Sequence, residues 1–463
     1  MPRPSRLAVL LPLLLGGCDL APHYTRPQAP IPPALPHAEG RAAANPADIG
    51  WQDFFTDPKL RQVIARALDN NRDLRVAVAN VARARAEYRI QRADQFPALS
   101  ANAGATFQRR SASTPNNNGG SDRTTEQYSA GIGLSAFEID LFGRLRNLSK
   151  AAFEQYLATD EARKTAQISL IAEVASAYLT LAADRDHLRI AQETLAAQQK
   201  MLDLTQARQR LGVASGLDTR QARTSYEQAR ADIAAFTTDV EQDRNALNLL
   251  VGAVVADELL PAQLTPATRS ALPVGLDSAI LLNRPDVRSA EHLLIAQNAN
   301  IGAARAAFFP TISLTAALGT ASGGLSNLFG AGTGTWSFNP SIVQPIFNAG
   351  AIRGGVRSAE AARNAALATY EKAIQTAFRE VADALARRAT IDEQVDAQRA
   401  LAKAAAESLT IAEGRYRLGT DSYLTTLTAQ QTLYGARQNV VAVELAANAN
   451  MVELYRAIGG GLR

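Results

Sequence analysis

The stretch RLGTDSYL at residues 417–424 interrupts a region that otherwise reads as unbroken helix, and a near copy, RLGVASGL, does the same at residues 210–217. Glycine enters the left-handed backbone region without a steric penalty, and it is the residue that most often ends a helix where the chain reverses. Gly212 and Gly419 are therefore predicted to end two long helices. Both segments are predicted to be the tips of long helical hairpins.

Long helical stretches lead into both turns. From about Asn147 to Leu211 the chain has neither proline nor glycine, and at about 1.5 Å per residue this predicts a rod of roughly 95 Å. A second rod, from about Val356 to Leu418, repeats the design with smaller residues. Ser215 and Ser422 are predicted to cap the helices that return. Apolar residues recur at every seventh position in the first rod, which predicts left-handed coiled-coil packing: Val174, Leu181, Leu188, Leu195 and Leu202.

The sequence contains an internal repeat. NNRDLRVA at residues 70–77 aligns with NRPDVRSA at 283–290, and FPALS at 96–100 aligns with FPTIS at 309–313. These matches keep one spacing without gaps, and the two RLG turns match at a slightly shorter spacing. The sequence therefore predicts an internal duplication. Each copy is predicted to run helix, two strands, very long helix, turn and helix.

Four segments alternate between apolar and polar residues with a period of two, which is typical of strands. They are residues 99–107, 127–136, 311–316 and 335–342. Strands of about ten residues are long enough to cross a bilayer in a barrel, but four strands cannot close one. A barrel shared between several chains is therefore predicted. A small soluble sheet with one solvated face is the alternative.

The amino terminus has the pattern of an export signal. Residues 1–17 combine a basic start, a short apolar run and small residues, and Cys18 follows directly. Residues 15–18 resemble the lipobox of bacterial lipoproteins, in which the cysteine becomes the lipid-modified first residue. An ordinary signal peptide with an incidental cysteine is the alternative. Cys18 is the only cysteine, so no internal disulfide is expected.

Charge and motif content argue against two other classes of protein. The formal net charge is only +4 and the charges of both signs are interleaved, so a nucleic-acid surface is not predicted. The sequence has no phosphate-binding glycine loop and no HExxH motif, and its four histidines lack ligand spacing. No enzymatic activity, cofactor or metal site is therefore expected.

Taken together, these motifs resemble the outer-membrane efflux proteins of the TolC and OprM type, including the NodT-like lipoprotein branch. The resemblance runs from CDLAPHYTRP at Cys18 through WQDFFTDPKL at 51–60, the duplicated motifs and both RLG turns to AIGGG at 457–461. It implies a homotrimer with a twelve-strand outer-membrane barrel, four strands from each chain, and a periplasmic barrel of twelve helices. It also implies a mainly α, α+β membrane protein.

The resemblance divides the chain into segments that follow one another along the duplicated pattern. They are a signal peptide at 1–17, a lipidated tether at 18–46, a first-repeat helix at 47–98, a first β-hairpin at 99–140, a first long helical hairpin at 141–252, an equatorial linker at 253–275, a second-repeat helix at 276–310, a second β-hairpin at 311–347, a second long helical hairpin at 348–459 and a C-terminal tail at 460–463.

The resemblance also implies a gate at the periplasmic end. Tyr416 falls where a tyrosine bonds a neighbouring aspartate, Asp218 falls at that aspartate, and Asp421 falls where the OprM branch places an acidic ring. A plain helix-capping role for Asp421 is the alternative. The TolC branch carries its own aspartates where this chain has Thr425 and Thr428. The implied adaptor-docking residues at the tips are Gly212, Val213, Ser215, Gly419, Thr420 and Ser422.

The function implied is that of a passive exit duct in the outer membrane, anchored by lipid and extending into the periplasm. Its implied partners are a periplasmic adaptor protein and an inner-membrane pump, of the resistance-nodulation-division (RND) type given the lipid anchor and the NodT-like start. Two alternatives stay open: the outer-membrane duct of a type I protein secretion system, and a coiled-coil periplasmic lipoprotein that does not span the membrane.

Overall fold

The computed structural model describes residues 19–36, 49–110, 123–266, 268, 277–460 and 462. Over these residues the chain is mainly helical with one sheet of four strands, which confirms the predicted element types. The helices are α1 (Trp51–Phe54), α2 (Pro58–Asn70), α3 (Arg72–Ala93), α4 (Arg144–Arg210), α5 (Gly216–Val251), α6 (Pro285–Ala306), α7 (Ala351–Leu418) and α8 (Tyr423–Ala457), and the strands are β1 (Leu99–Arg110), β2 (Arg123–Glu138), β3 (Thr311–Ser322) and β4 (Gly334–Val343).

The segment predicted as one first-repeat helix contains three helices. The Asp57 side chain caps α2 by accepting hydrogen bonds from the backbone N–H groups of Lys59 and Leu60. Asn71 ends α2 with extended backbone, and its side chain accepts a hydrogen bond from the N–H of Leu74 at 2.8 Å. Short polar side chains compete with helix hydrogen bonding in this way, and they account for the breaks in the helix.

The chain divides into two compact units. A sheet unit comprises Met1–Pro27, Val81–Thr159 and Ala290–Tyr370, and a helical unit comprises Gln28–Asn80, Asp160–Ser289 and Glu371–Arg463. The two rods, α4 with 67 residues and α7 with 68 residues, each contribute to both units.

In the sheet unit, the four strands form an antiparallel meander in the order β1-β2-β3-β4. The register pairs Ile132 of β2 with Ala101 and with Leu318, and Leu318 with Trp336. A bulge between Leu134 and Phe137 shifts this register, and Ala136 there has a φ of 47°. The alternation predicted to continue to Ala136 therefore stops at Leu134.

The helices of the sheet unit pack in the order α3, α4, α6, α7. The rings of Tyr88 and Phe153 lie 5.2 Å apart between α3 and α4. His292 Nδ1 lies 2.6 Å from a carboxylate oxygen of Glu154 between α6 and α4. An ion pair of 3.3 Å joins Arg305 of α6 to Glu360 of α7. No described side chain of α3 is buried, so this helix is an open edge of the unit.

Residues 19–27 have no regular secondary structure but are bound to the sheet unit. Arg26 donates two hydrogen bonds of 2.7 Å to the carboxylate of Glu291 on α6. The Asn298 side chain donates to the carbonyl of Pro22, and Asn147 of α4 donates to Asp19 at 2.9 Å. Residues 19–27 of the predicted tether are therefore held against the sheet unit by side-chain hydrogen bonds. Cys18 itself lies outside the described residues.

The base of the helical unit is built around buried aromatic rings and one buried arginine. Phe54 stacks on Tyr455 with ring centres 3.9 Å apart, and Phe55 contacts both rings edge-on. Arg284, 5 % exposed, donates hydrogen bonds to Asp286, Glu380 and the carbonyl of Ala457. A buried arginine with several charged acceptors is satisfied only in one arrangement, so this contact fixes the end of α8.

Candidate functional site

The two RLG turns have the same backbone conformation. Gly212 and Gly419 both lie in the left-handed region, with φ of 73° and 76°. In each turn the glycine N–H and the following N–H bond back to the third and fifth preceding carbonyls. This pattern satisfies the last carbonyls of a helix and reverses the chain. The predicted ends of both rods are therefore found at these glycines.

The predicted serine caps differ between the two turns. Ser215 forms a capping box with Asp218, in which each side chain accepts a hydrogen bond from the backbone N–H of the other. Ser422 also precedes its helix, but its side chain makes no capping bond and lies 3.4 Å from the Thr425 hydroxyl. The prediction that Ser422 caps α8 through its side chain is therefore wrong, because the hydroxyl faces another hydroxyl instead of the helix amides.

The tips are exposed and carry large apolar side chains. Around the first turn these are Leu211, Val213 and Leu217, and around the second Leu418 and Leu424, all more than half exposed. The predicted docking residues Gly212, Gly419, Thr420 and Ser422 are also exposed. Clustered apolar side chains at an exposed surface mark a contact surface for another molecule.

Behind the tips lies a buried cluster that contains the predicted gate tyrosine. Tyr416 of α7 is 3 % exposed and Tyr423 of α8 is 1 % exposed, and their ring centres lie 5.7 Å apart. They pack with residues from α4, α5 and α8: Met201, Leu202, Ala222 and Leu427. Burial raises the pKa of Tyr423 to about 12, so its hydroxyl stays protonated. The cluster joins both helical hairpins behind their turns.

Arg208 of α4 binds the other hairpin directly. It donates a 2.9 Å hydrogen bond to the backbone carbonyl of Tyr416, and its guanidinium carbon lies 4.7 Å from the centre of the Tyr416 ring. A cation over an aromatic face adds a favourable electrostatic contact to the hydrogen bond. Arg208 therefore links the first hairpin to the second at the level of Tyr416.

The three predicted gate residues lie near the tips, and each already has local contacts. Asp421 accepts hydrogen bonds of 2.7 and 3.2 Å from Arg415, which pairs its charge. Asp218 belongs to the capping box with Ser215. The Tyr416 hydroxyl is buried and has no hydrogen-bond partner within the described part of the chain. The Tyr416–Asp218 bond that the resemblance implied is not formed within this chain.

Sequence reasoning missed the arginines of this site. Arg208 and Arg415 each lie four residues before the glycine of their RLG turn. Their shared position relative to the two RLG motifs is the sequence signal that points to them. Their contacts differ, because Tyr416 and Asp421 flank the second turn where Gln209 and Ala214 flank the first.

The two faces of the sheet differ in polarity. One face presents Ile132, Leu318, Trp336 and Phe338, all more than half exposed. The opposite face presents small and polar residues, with Gly131 paired to Gly319 and Gly319 paired to Thr335. A Cβ at Gly319 would overlap the carbonyl oxygen of Ala130, so only glycine fits at this polar face. The predicted two-faced character of the strands is therefore present.

The outer edges of this sheet have no strand partner among the described residues. β1 pairs only with β2, and β4 pairs only with β3. An unpaired edge is a template for pairing with another strand, and within lipid it would leave polar backbone groups without hydrogen bonds.

The comparisons with known proteins agree with this architecture. A family model described as "Outer membrane efflux protein" matches residues 63–253 and 276–460. The chain is 46 % identical over 454 residues to the toluene efflux pump outer membrane protein TtgC of Pseudomonas putida, and the match covers 97 % of this chain and 93 % of TtgC. It is 41 % identical over 456 residues to the cation efflux system protein CusC of Escherichia coli O157:H7, with 97 % of each chain covered.

A crystal structure of a membrane protein from Pseudomonas aeruginosa superimposes with a TM-score of 0.90 at 40 % identity, covering 96 % of this chain and 98 % of that one. The resemblance to outer-membrane efflux proteins is thereby confirmed, and the chain belongs to the outer membrane efflux protein family.

Proposed function

We propose that this protein is the exit channel of a tripartite efflux pump and that it acts as a homotrimer. The observation that carries the proposal is the four-stranded sheet, with one exposed apolar face, one polar face and two open edges. Three such sheets joined edge to edge, β1 of one copy to β4 of the next, would give a twelve-strand barrel. Its apolar face would contact lipid and its polar face would line a water-filled pore.

The helices of the sheet unit support the same assembly. The order α3, α4, α6, α7 leaves α3 and α7 at the two sides, as β1 and β4 are at the two sides of the sheet. A helix without a buried side chain, such as α3, is expected to pack against another molecule. The partner proposed here is α7 of the next copy, which would continue the wall as a barrel of twelve helices.

The tips are the proposed contact with a periplasmic adaptor. Exposed Leu211, Val213 and Leu418 surround turns whose conformation is fixed by Gly212 and Gly419. A rigid turn with an apolar surface suits docking because little conformational entropy is lost on binding. The adaptor would connect the channel to an inner-membrane pump, for which the RND type is proposed on the lipoprotein-like amino terminus.

Opening of the periplasmic end is proposed to break the contacts behind the tips. Tyr416 and Arg208 hold the hairpins together, and the buried Tyr416 hydroxyl has no hydrogen-bond partner among the described residues. Asp421 would contribute negative charge at the constriction only when Arg415 leaves it, because the ion pair is locally neutral. Lipid attachment at Cys18 is part of the same proposal, with residues 19–27 holding the anchor to the sheet unit.

The cargo is proposed to be set by the pump and not by this channel. One relative is named for toluene efflux and another for cation efflux, at 46 % and 41 % identity to this chain. These relatives are similar in sequence but are named for chemically unlike solutes. This is expected if the channel passes solutes passively and does not select them. The type I secretion alternative differs in its pump and cargo, and a functional exchange of the inner-membrane partners would distinguish it.

The test is the assembly state and conductance of the purified protein. Light scattering in detergent, with the detergent mass subtracted, is expected to give three times the chain mass. Insertion into planar bilayers is expected to give discrete current steps. A stable monomer without conductance would exclude the channel and leave the non-spanning periplasmic lipoprotein as the function.

A further inference from the structure

A polar layer interrupts the apolar seam between α4 and the second hairpin in the helical unit. On the tip side of this layer lies the cluster of Met201, Leu202 and the two tyrosines. On the other side, α4 and α8 pack through Ala183, Ile190 and Val441. Between them, Gln198 of α4 and Gln430 of α8 are each only 6 % exposed. Amides in the middle of an apolar seam are costly unless they are hydrogen-bonded.

Neither amide is fully satisfied by the protein. Gln198 Oε1 and both Gln430 amide atoms are buried and have no hydrogen-bond partner among the described residues. Both side chains line one partly open cavity of about 150 Å³ bordered by α4, α7 and α8. Leu409 and Leu433 supply apolar parts of its wall. Donor and acceptor atoms therefore share a cavity with apolar walls.

The charged side chains and the tyrosine at the cavity already have partners. Glu193 is paired with Arg189 and with Arg437. The hydroxyl of Tyr434 donates a 2.8 Å hydrogen bond to Asp232 of α5. These contacts hold the charged groups at the rim, so the amides need a ligand that enters the cavity. That ligand must both donate and accept hydrogen bonds, because Gln430 presents both kinds of atom.

The volume of the cavity limits which ligands can bind in it. Drug-sized solutes occupy pockets of about 300 Å³ or more, which this cavity does not reach. Water takes about 30 Å³ per molecule in the liquid and is retained where two to four polar partners are present. The volume of about 150 Å³ accommodates a small water cluster.

We propose that Gln198 and Gln430 bind a cluster of ordered water molecules that forms a hydrated layer between α4 and the second helical hairpin. Water re-forms its hydrogen bonds when its neighbours shift, whereas interdigitated apolar side chains resist sliding. The layer is therefore the level at which the hairpins can move while the seam on either side stays packed. This mechanical role rests on the proposed channel function, but the water site itself does not.

A structure of the full-length protein at a resolution that shows individual waters tests the site directly. Density peaks are expected at about 2.7–3.2 Å from Gln198 Oε1 and from both Gln430 amide atoms. A direct bond between the two amides, with no density in the cavity, would overturn the proposal. This result does not depend on whether the protein conducts.

A double-mutant cycle gives a second test in solution. Q198M and Q430M replace each amide by an apolar side chain of similar shape, and because both amides share one cluster their effects on the unfolding midpoint are expected to be non-additive. The exposed glutamines Gln206 and Gln431 on the same two helices provide the control pair Q206M and Q431M. Additive effects in the first pair, as in the control, would count against a shared cluster.

The mechanical role is tested by current recordings in bilayers. Q198M/Q430M is expected to open severalfold less often than the parent protein, while Q206M/Q431M opens as the parent does. If a variant that has lost the water peaks opens as often as the parent, the mechanical role is refuted. The proposal that the amides bind water would still stand. A parent protein that shows no current at all would instead refute the channel proposal.

Discussion

Arg208 of α4 donates a hydrogen bond to the backbone carbonyl of Tyr416 on α7 and places its guanidinium over the ring of the same residue. One side chain thus holds one helical hairpin to the other through two contacts. Neither contact depends on Asp218, the residue that the family resemblance paired with Tyr416. Within one chain, the contact between the two hairpins at the level of Tyr416 is therefore made by an arginine and not by an aspartate.

Replacing Arg208 by alanine is expected to loosen the tip and raise the single-channel conductance or the fraction of time open. The loss of a cation–π contact and a charged hydrogen bond corresponds to about 2–3 kcal/mol. Arg210, exposed and two residues further along the same helix, is the matched control, and Arg210→Ala is expected to conduct like the parent. Equal conductance of both variants would remove Arg208 from the gate.

The Asp421–Arg415 pair makes a prediction about ion selectivity. Removing one partner leaves the other charge unpaired at the tip, so Asp421→Ala is expected to shift the reversal potential toward anions and Arg415→Ala toward cations. The double variant is expected to return to the parent value because the pair is neutral. Reversal potentials in a salt gradient measure this. A cation-selective parent that is unaffected by Arg415→Ala would instead favour a free acidic ring.

Glycine at the turns is required by backbone geometry, which gives a stability prediction. Gly419→Ala is expected to destabilise the protein by about 1 kcal/mol, because alanine is strained at a φ of 76°. Gly435 lies inside α8 with open space around it, so Gly435→Ala is expected to stabilise by a similar amount. Thermal unfolding followed by helical circular dichroism compares the two. If both substitutions changed the stability in the same direction, the left-handed geometry of the turn would be contradicted.

The two faces of the sheet predict opposite tolerance to charge. Ile132→Lys places a charge on the apolar face and is expected to cost about 2–4 kcal/mol if that face contacts lipid. Ser129→Lys, three residues earlier on β2, lies on the polar face and is expected to be tolerated. The amount of folded trimer in the outer membrane measures both. Equal amounts would indicate that neither face contacts lipid.

Most of the fold follows from the sequence because it rests on local rules. The period of two located the strands, the absence of helix breakers located the rods, and glycine located both tips. The division of residues 51–93 into three helices was missed. Asn71 ends a helix through a side-chain hydrogen bond, and the spacing of apolar residues does not reveal such a break. Helices and strands are therefore easier to predict from the sequence than a break inside a helix.

The contacts of the candidate site were harder to predict from the sequence because they join distant parts of the chain. The family pattern singled out Tyr416 and Asp421, but their partners in the structure, Arg208 and Arg415, depend on side-chain direction within packed helices. The same applies to Gln198 and Gln430, which look like ordinary surface glutamines in the sequence. Only packing reveals that their amides are buried.

The last prediction concerns pH and the pair Asp184–Asp243, which joins α4 to α5. Burial, a hydrogen bond to Asp184 and the charges of Asp184 and Asp239 raise the pKa of Asp243 to about 7. His187 lies on the same side of α4 and stacks on Phe236, and burial lowers its pKa, so it stays neutral and does not offset the acidic charge at neutral pH.

Because the pKa of Asp243 is higher in the folded protein than in the unfolded chain, the folded state binds more protons between about pH 4 and 7. The free energy of unfolding is therefore expected to fall as pH rises through this window and to level off above it. Asp243→Asn is expected to flatten this slope and to be about 1–2 kcal/mol more stable than the parent at pH 8, a value discounted for partial exposure. The exposed Asp396→Asn is the control and is expected to keep the parent slope. Chemical unfolding of the detergent-solubilised protein at several pH values measures this, and a parent whose stability rises from pH 4 to 7 would contradict it.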